Sequence, residues 1–405
     1  MKEKLVIKNF GPIKAVELEL GRFNVLIGEN ATGKSTVAKV LAVCRYFSYI
    51  SDNNNLTFSK ATSPFFTGLA GWGLEEFLKK DTSINYVCSD YTFTVRRKNY
   101  SSVFKDENGK IISASDNNKV WQFSLTKKST RFANLIKEFK KIQSNSIDKI
   151  NNSGQSWTIP TTFLQNDVAS LLDNPFYLPT ERGLQSIFSL GKNSIQNISD
   201  SLFNQFAKLD LSARNFKNET LIEPLQISYK NIDGRGYIKK SSEVEFYSLF
   251  NGASGYKSAI PIVLVIKYYS EIRKKRKTFL LEEPESNLFP TAQDKLMQYL
   301  VDKTMNYGNS ILVTTHSPYI LTSLNNMMYA FQVGETRDKK TENILPKKYW
   351  LNPNEVSVYM MLPNGKCESI IDKEGLIKAE KIDSISTILN RDFNAIMDIE
   401  LNIKD

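Results

Sequence analysis

The chain has 405 residues, of which 41% are hydrophobic and 24% are charged, a balance typical of a folded globular protein that excludes wholesale disorder. This length allows one large core or two unequal ones. The three cysteines are Cys44, Cys88 and Cys367, and without a CxxC pair they indicate neither a disulfide framework nor a zinc site. The longest apolar run, residues 259–266, is far below the roughly 20 residues that span a bilayer, and the N terminus has no export signal. We therefore expect a cytoplasmic protein with no membrane partner.

The net charge of +10 is concentrated in short clusters, notably residues 96–98 and 273–277. Such clusters suit a nucleic acid or an acidic protein surface as partner. Solvated helix ends explain them equally well, because cations also stabilise helix C termini. Charge alone therefore leaves the partner open.

The N-terminal residues predict a hairpin that runs into a buried strand. Residues 5–7 are apolar between charged flanks, residues 16–20 alternate apolar and polar side chains after the turn at Gly11 and Pro12, and residues 23–27 are mostly apolar. A glycine-rich loop and an apolar helix follow directly. A phosphate-binding loop is expected at this position, between a strand and a helix.

The composition shifts toward Asn, Ser, Thr and Lys between residues 46 and 240. The pattern predicts a hairpin around residues 91–95 and 110–112, and helices at residues 132–142 and 187–209. Neither helix sustains the heptads of a long coiled coil. We interpret this segment as an insertion outside the central sheet.

The central fold is predicted to resume at residues 243–250. A helix at residues 256–275 leads into a buried strand at 278–281, and a helix at 291–306 leads into a strand at 310–314. This alternation is typical of an α/β sheet. The residue pattern of the tail predicts a strand at 356–361, a turn at 363–365 and a helix at 380–397.

We divide the chain into four segments on these grounds. They are an N-terminal lobe with the glycine loop (residues 1–45), an insertion (46–240), a second lobe of the same central fold (241–330) and a strand–helix extension (331–405).

The glycine-rich loop fits G-x-x-x-x-G-K-[ST] between a strand and a helix. In this pattern the glycines let backbone N–H groups curl around phosphates, Lys34 reaches the β and γ phosphates, and the Ser35 hydroxyl contacts Mg²⁺. An ordinary glycine turn is the alternative, and both flanking elements argue against it. The predicted nucleotide-binding residues are Gly28, Glu29, Asn30, Ala31, Thr32, Gly33, Lys34, Ser35 and Thr36.

The apolar strand at residues 278–281 ends in the paired carboxylates Glu282 and Glu283. We assign Glu282 to Mg²⁺, through water, and Glu283 to the base that orients or deprotonates an attacking water. A solvated acidic turn after a strand is the alternative. The phosphate loop earlier in the chain favours the catalytic interpretation.

Two weaker elements accompany these motifs. Ser254 and Gly255 stand at a predicted helix start, which suits an anion, although an ordinary helix cap has the same pattern. His316 is the only histidine of the chain and directly follows a predicted strand. A lone histidine is usually a core or surface residue, but this position is that of a γ-phosphate sensor, which is the role we predict.

These four elements, in this order, resemble the ABC-type ATPases of the RecF, SMC and OLD group. Residues 7–13, 281–290 and 311–321 are similar to the family's N-terminal strand, Glu-Glu-Pro-Glu segment and switch-histidine strand. The resemblance implies an α/β ABC-ATPase head with a mixed central sheet. It also implies an N-terminal antiparallel β subdomain and a helical and β insertion between the Walker A loop and the signature motif. ATP and Mg²⁺ are the implied cofactors, with Glu283 and His316 as the catalytic residues.

In this family two heads meet head to tail around ATP. The resemblance implies that Ser254 and Gly255 of one copy cover the nucleotide on the glycine loop of the other, and that Ser286 and Asn287 form the D-loop at the interface. The sequence departs from the family pattern at Glu282 in place of Asp, at Tyr256 and Lys257 in the signature, and at Phe289 in place of His. The first departure occurs within this group, whereas the altered signature bears on the strength of the dimerisation.

The glutamine that contacts Mg²⁺ in this family has no clear counterpart. Gln165 and Gln185 are candidates. Between them, residues 177–183 resemble a family segment at the end of a strand. The alternatives for Arg182 in this segment are a contact with phosphate or a partner and an ordinary surface salt bridge.

The tail resembles the compact ATPases of two-gene anti-phage systems, which control an effector nuclease of the TOPRIM or HNH type. An Asp-x-Asp pair does not occur in the sequence, so any nuclease is expected to act in trans. We expect an oligomeric ATPase switch for such an effector, with a nucleic acid or a phage protein as a further candidate partner. The alternative is a RecF-like repair ATPase that binds duplex DNA. A transporter subunit is disfavoured by the insertion of about 200 residues.

Overall fold

The computed structural model describes residues 3–46, 57–58, 64–105, 111–130, 175–180, 201–214, 219–274 and 276–378, with single positions at 133, 134, 137, 216 and 397. Apart from those single positions, the predicted helices at 132–142 and 380–397 lie outside the described residues. So do Gln165, Arg182 and Gln185. Among the described helices, none combines the length and apolar character needed to cross a membrane.

The N-terminal hairpin is part of a six-stranded antiparallel sheet. Strands β1 (Glu3–Phe10) and β2 (Ile13–Leu20) pair with Glu3 opposite Leu20. The sheet runs in the order β2-β1-β5-β6-β7-β4. Its other strands are β4 (Thr57–Phe58), β5 (Leu78–Val87), β6 (Tyr91–Lys105) and β7 (Ile111–Lys127). The predicted antiparallel β subdomain is therefore confirmed.

The hairpin predicted around residues 91–95 and 110–112 exists as β6 and β7, whose paired strands extend from Tyr91 opposite Lys127 to Lys105 opposite Ile111. Both strands are much longer than predicted, and β5 joins them to β1. This part of the 46–240 segment therefore continues the N-terminal sheet. The division of the chain into four segments remains a prediction.

The central sheet is mixed, as predicted, in the order β16-β15-β3-β14-β13-β8. Five strands are parallel and the edge strand β16 is antiparallel. They are β3 (Phe23–Ile27), β8 (Phe176–Leu178), β13 (Thr278–Glu282), β14 (Ser310–Thr315), β15 (Val356–Met361) and β16 (Cys367–Ser369). The expectation that residues 46–240 lie outside this sheet is wrong for β8. Its three residues pair with β13 and are too short to show a period.

The helices that cover the central sheet match the predictions in part. The structure has α1 (Lys34–Arg45), α2 (Pro64–Gly71), α3 (Ser201–Ala213), α4 (Ser254–Lys267), α5 (Pro290–Met305) and α6 (Pro318–Glu342). The helix predicted at 256–275 begins two residues earlier and passes into a π-helical turn, Tyr268–Ile272. The helix α6 was not predicted.

A third sheet, also unpredicted, lies against α4. It is antiparallel, in the order β12-β11-β10-β9, with β9 (Thr220–Ile222), β10 (Ile227–Ile232), β11 (Arg235–Lys240) and β12 (Tyr247–Ser248). A tight turn at Asp233 and Gly234, both with positive φ, joins β10 to β11. Because β12 leads directly into the segment before α4, this sheet positions the start of that helix.

The central sheet separates two apolar cores. Alternate residues of each buried strand face opposite sides, so Leu26 and Leu280 belong to one core while Val25 and Leu281 belong to the other. The first core is closed by α1 and the N-terminal sheet, and the second by α4, α5 and α6. The sheet is thus buried on both faces, which leaves its edges and strand ends for a site.

Candidate functional site

The predicted site residues converge at one edge of the central sheet. Strands β3, β14, β13 and β8 are parallel neighbours, so their carboxyl ends lie at the same edge, where ligands bind in α/β sheets. The glycine loop follows β3, His316 follows β14, the carboxylate pair ends β13, and Thr180 follows β8. The sequence predicted the first three, and the structure adds Thr180.

The glycine loop holds the Lys34 ammonium group within its curve. Lys34 Nζ donates to the carbonyl oxygens of Gly28 at 2.7 Å and Glu29 at 2.8 Å. Burial lowers the pKa of Lys34, and the charges of Glu283 and Glu285 act in the opposite direction. The lysine is therefore poised between the loop and the acidic strand end of β13.

The start of α1 is suited to an anion. Gly33 is its N-cap, in the left-handed region at φ 94°, no side chain caps the helix, and no acidic residue occupies the first turn. The N–H groups of the first turn therefore lack a side-chain acceptor. Ser35, in that turn, is exposed.

Two turns close against the glycine loop from outside. A Cβ atom at Gly33 would lie 3.2 Å from Cγ of Pro12, in the turn between β1 and β2. A Cβ atom at Gly28 would lie 2.5 Å from the carbonyl oxygen of Met361, at the end of β15. The close approach of the Met361 backbone requires glycine at residue 28, and the left-handed conformation at φ 94° favours glycine at residue 33. Within the loop, Thr32 Oγ1 donates to the Glu29 carbonyl oxygen at 2.8 Å, which stabilises its curve.

The two consecutive carboxylates have different environments. Glu282 is buried, and the Thr180 hydroxyl lies 3.4 Å from its Oε2. Glu283 adopts a left-handed conformation at φ 41°, which is uncommon for a residue other than glycine. Its N–H donates to the Thr314 carbonyl oxygen at 2.9 Å, and its side chain is 26% exposed. The turn therefore directs Glu283 toward solvent while Glu282 stays at the strand end.

His316 lies beside Glu283. Its Nδ1 is 3.5 Å from Glu283 Oε1, and its side chain is about half-exposed, at 49%. The predicted base and the predicted sensor are thus brought together across neighbouring strands.

Sequence reasoning gave no role to Glu285, the last acid of the Glu-Glu-Pro-Glu segment. Its buried carboxyl accepts hydrogen bonds from the Thr315 hydroxyl and the His316 N–H. The sequence signal that could have identified it was its position in that segment. The side chain of Gln293, also buried, accepts from the Ser317 hydroxyl at 2.7 Å, and nothing in the local sequence marks this contact.

The predicted signature segment packs against the predicted D-loop of the same chain. Ser254 is exposed at the first turn of α4, whereas Gly255 is buried. A Cβ atom at Gly255 would lie 2.6 Å from the carbonyl oxygen of Asn287, so only glycine fits. Ser286 is partly buried, and its hydroxyl lies 3.4 Å from Glu283 Oε2. The D-loop (residues 286–288) therefore connects the signature to the carboxylate pair.

The donor set fits Mg²⁺ only in the company of a phosphate. In the part of the chain that the structure describes, no three His, Cys, Asp or Glu residues cluster as a metal site. The Ser35 hydroxyl, and the Glu282 carboxylate through water, would hold the ion, and Mg²⁺ takes most of its ligands from water and substrate phosphates in sites of this kind. These residues therefore fit Mg²⁺ bound together with a nucleotide.

Comparisons with solved structures find SMC head domains. The SMC head domain from Thermotoga maritima is 12% identical, with 91% of this chain and 98% of that chain covered and a TM-score of 0.40. An SMC head bound to the C-winged helix domain of ScpA is 12% identical, with 91% and 96% covered and a TM-score of 0.41. An SMC head with an extended coiled coil, bound to the C-terminal domain of ScpA derived from Pyrococcus furiosus, is 11% identical, with 96% and 98% covered and a TM-score of 0.37. These values are too low to support an inference about this chain.

No curated protein matches the sequence significantly. A protein-family model does match, over residues 23–322, and its description is "AAA domain, putative AbiEii toxin, Type IV TA system". The matched residues include the glycine loop, the signature segment, the carboxylate pair and His316. The match spans most of the sequence and agrees with the ABC-type ATPase resemblance of the motifs. The chain therefore belongs to this family of AAA domains.

Proposed function

We propose that the protein is an ATP-hydrolysing switch whose two copies meet head to tail around ATP and Mg²⁺ and control a separate effector. Family membership makes the chain a nucleotide-binding ATPase in general terms. The observation that supports the specific site most strongly is the convergence of Lys34, Glu283 and His316. Glu283 Oε1 lies 3.5 Å from His316 Nδ1, and the charge of Glu283 opposes the burial that lowers the pKa of Lys34.

Each residue has a role that its environment suits. Lys34 exchanges the carbonyl oxygens of its own loop for the β and γ phosphates, helped by the open N–H groups of α1. Glu283, partly exposed, orients or deprotonates the attacking water, and His316 senses the γ phosphate. Glu282 and Ser35 hold Mg²⁺, which when bound neutralises charge on the phosphate oxygens. In this proposal the other nucleotide-binding residues line the loop.

Head-to-tail dimerisation is supported by exposed groups around the D-loop. Ser254 is exposed beside the D-loop, where it would reach the nucleotide of a second copy. Phe289 is 75% exposed directly after the D-loop, and Tyr319, directly after the His316 turn, is also exposed. Large apolar side chains exposed around a polar site are typical of an interaction surface.

The effector is proposed to be a nuclease of the TOPRIM or HNH type in an anti-phage system. The family description names a toxin of a toxin–antitoxin system, which supports a defence role for the chain. Direct DNA binding has less support from the 273–277 cluster. Lys277 is buried over the Phe176 ring, and is therefore used in packing. Arg273 is exposed and donates to the Tyr268 hydroxyl.

A mixing experiment tests whether two copies share the nucleotide. Lys34→Ala destroys the glycine loop and Ser254→Arg destroys the signature, so each variant alone should be inactive. In a mixed pair one of the two composite sites is complete, because each copy supplies the part that the other lacks. We expect roughly a quarter of wild-type ATP turnover in an equal mixture, since about half of the pairs are mixed. No recovery of turnover on mixing would contradict the head-to-tail site.

The effector is tested by co-purification with the product of a neighbouring gene. We expect a nuclease whose retention depends on ATP and is lost in the Lys34→Ala protein. Duplex DNA binding that weakens steeply with salt, with no bound effector, would instead support the RecF-like alternative.

A further inference from the structure

The buried carboxyl group of Glu285 fixes the turn that carries His316. The side chain is 2% exposed, and its Oε1 accepts hydrogen bonds from the Thr315 hydroxyl and, at 3.3 Å, from the His316 N–H. Thr315 Oγ1 also accepts the Ser317 N–H at 3.0 Å. One carboxyl and one hydroxyl therefore bind three consecutive residues of the turn.

The same turn is tied to the D-loop by a second route. The Ser317 hydroxyl donates to Gln293 Oε1 at 2.7 Å, and Gln293 Nε2 donates to the Leu288 carbonyl oxygen at 2.9 Å. The Leu288 N–H donates in turn to the Glu285 carbonyl oxygen at 2.9 Å. Between these two tethers the His316 imidazole remains half-exposed and faces Glu283.

The environment of Glu285 suits a neutral acid. Its Oε2 is buried and has no hydrogen-bond partner among the described residues. Burial raises the pKa of the Glu285 carboxyl, against the Thr315 hydrogen bond and the charge of His316. Lys34 is a further charged group close enough to interact with it. A buried anion close to a triphosphate would be costly. Glu285 therefore acts here as a hydrogen-bond acceptor and not as a negative charge.

We propose that Glu285 is a positioning residue of the ATPase site. Its carboxyl locks the turn of residues 315–317 to the D-loop and so holds the His316 imidazole beside Glu283. When a second copy displaces the D-loop, the turn and the His316 imidazole therefore move with it. This inference rests on the proposed ATPase function, which it deepens by linking the dimer interface to the sensor.

Adjacent threonines of β14 provide a matched test. Thr315→Val removes the hydroxyl that binds Glu285, whereas Thr314→Val removes a buried hydroxyl that makes no hydrogen bond among the described residues. We expect Thr315→Val to lower kcat on the order of 10- to 100-fold with ATP affinity unchanged, because a small misplacement of a catalytic group is enough to do so. Thr314→Val should retain wild-type kcat. Equal kcat in two folded threonine variants would overturn the proposal.

Substitutions of Glu285 separate positioning from charge. Glu285→Gln keeps an acceptor oxygen and the shape of the neutral acid, and should retain kcat within about threefold of wild type. The Glu285→Leu protein loses the acceptor, and its kcat should fall as far as that of the Thr315→Val protein. A folded Glu285→Gln protein as inactive as Glu285→Leu would contradict a positioning role.

His316 supplies a readout that does not depend on activity, because it is the only histidine of the chain. In untagged protein its imidazole C–H resonances can be followed by NMR at a fixed pH. We expect Thr315→Val and Glu285→Leu to change their chemical shifts, while Thr314→Val leaves them unchanged. If the shifts change in the first two variants but the wild-type protein does not hydrolyse ATP, the proposed function fails while the positioning of His316 by Glu285 stands. Unchanged shifts in the first two variants would overturn the positioning role itself.

Discussion

The substitution Glu283→Gln tests the proposed base with little disturbance of the fold. The carboxyl contacts the Ser286 hydroxyl at 3.4 Å and His316 Nδ1 at 3.5 Å, both long for hydrogen bonds. The side chain is 26% exposed, so the amide should change the free energy of unfolding by less than about 0.5 kcal/mol. Any large effect on turnover then reports on chemistry.

A positioned general base contributes roughly 10²- to 10⁴-fold to a reaction rate. Because Glu283 is partly exposed, solvent water can substitute for it in part, and we expect the lower end of that range. The predicted loss is about 10²-fold in kcat, which corresponds to about 2.7 kcal/mol of transition-state stabilisation. ATP binding should persist, so the variant should accumulate in the ATP-bound form.

The assay is phosphate release at saturating ATP and Mg²⁺, with ATP affinity measured separately. Glu335→Gln, an exposed position on α6, is a matched control that should behave as wild type. Turnover of the Glu283→Gln protein within about threefold of the control would show that Glu283 is not the general base.

Three further substitutions test the site and the fold. Lys34→Ala removes the ammonium group from the glycine loop and should abolish nucleotide binding in a titration with fluorescent ATP; wild-type affinity would contradict this. His316→Ala should slow turnover while leaving ATP affinity largely intact, and unchanged phosphate release would show that His316 is an ordinary surface residue with no role in turnover. Arg45→Met leaves the Glu3 carboxylate without its partially buried ion pair and should lower the free energy of unfolding in urea by about 3 kcal/mol, whereas a loss below about 1 kcal/mol would show the pair to be dispensable.

The sequence predicts the catalytic edge of the sheet well because each motif is local. The strand before the glycine loop, the strand that ends in Glu282 and Glu283, and the strand before His316 are all found where expected. A buried parallel strand is a short continuous apolar run, and a loop motif at its end identifies it. Parallel pairing then brings the three strand ends together.

The elements that sequence reasoning missed depend on distant partners. Strand β8 has three residues, too few for a period, and is defined by its pairing with β13. Strand β5 joins the hairpin of β6 and β7 to β1 through pairs more than 70 residues apart in sequence, such as Lys4 with Val87. Pairings of this kind leave no local signal.

The role of Glu285 was also hidden from the sequence. It depends on burial beneath the His316 turn and on contact with Thr315, 30 residues further along the chain. In the sequence alone, a carboxylate two residues after Glu283 resembles a solvated acid. The structure shows instead that the Glu285 side chain is enclosed and accepts hydrogen bonds from the turn.

The most direct test of the head-to-tail dimer is the mass of the Glu283→Gln protein in solution, measured by light scattering with and without ATP and Mg²⁺. We predict that ATP doubles the mass, and that adding the Ser254→Arg substitution abolishes the doubling while leaving ATP bound. An ATP-saturated Glu283→Gln protein whose mass remains that of the nucleotide-free protein would contradict ATP-driven dimerisation.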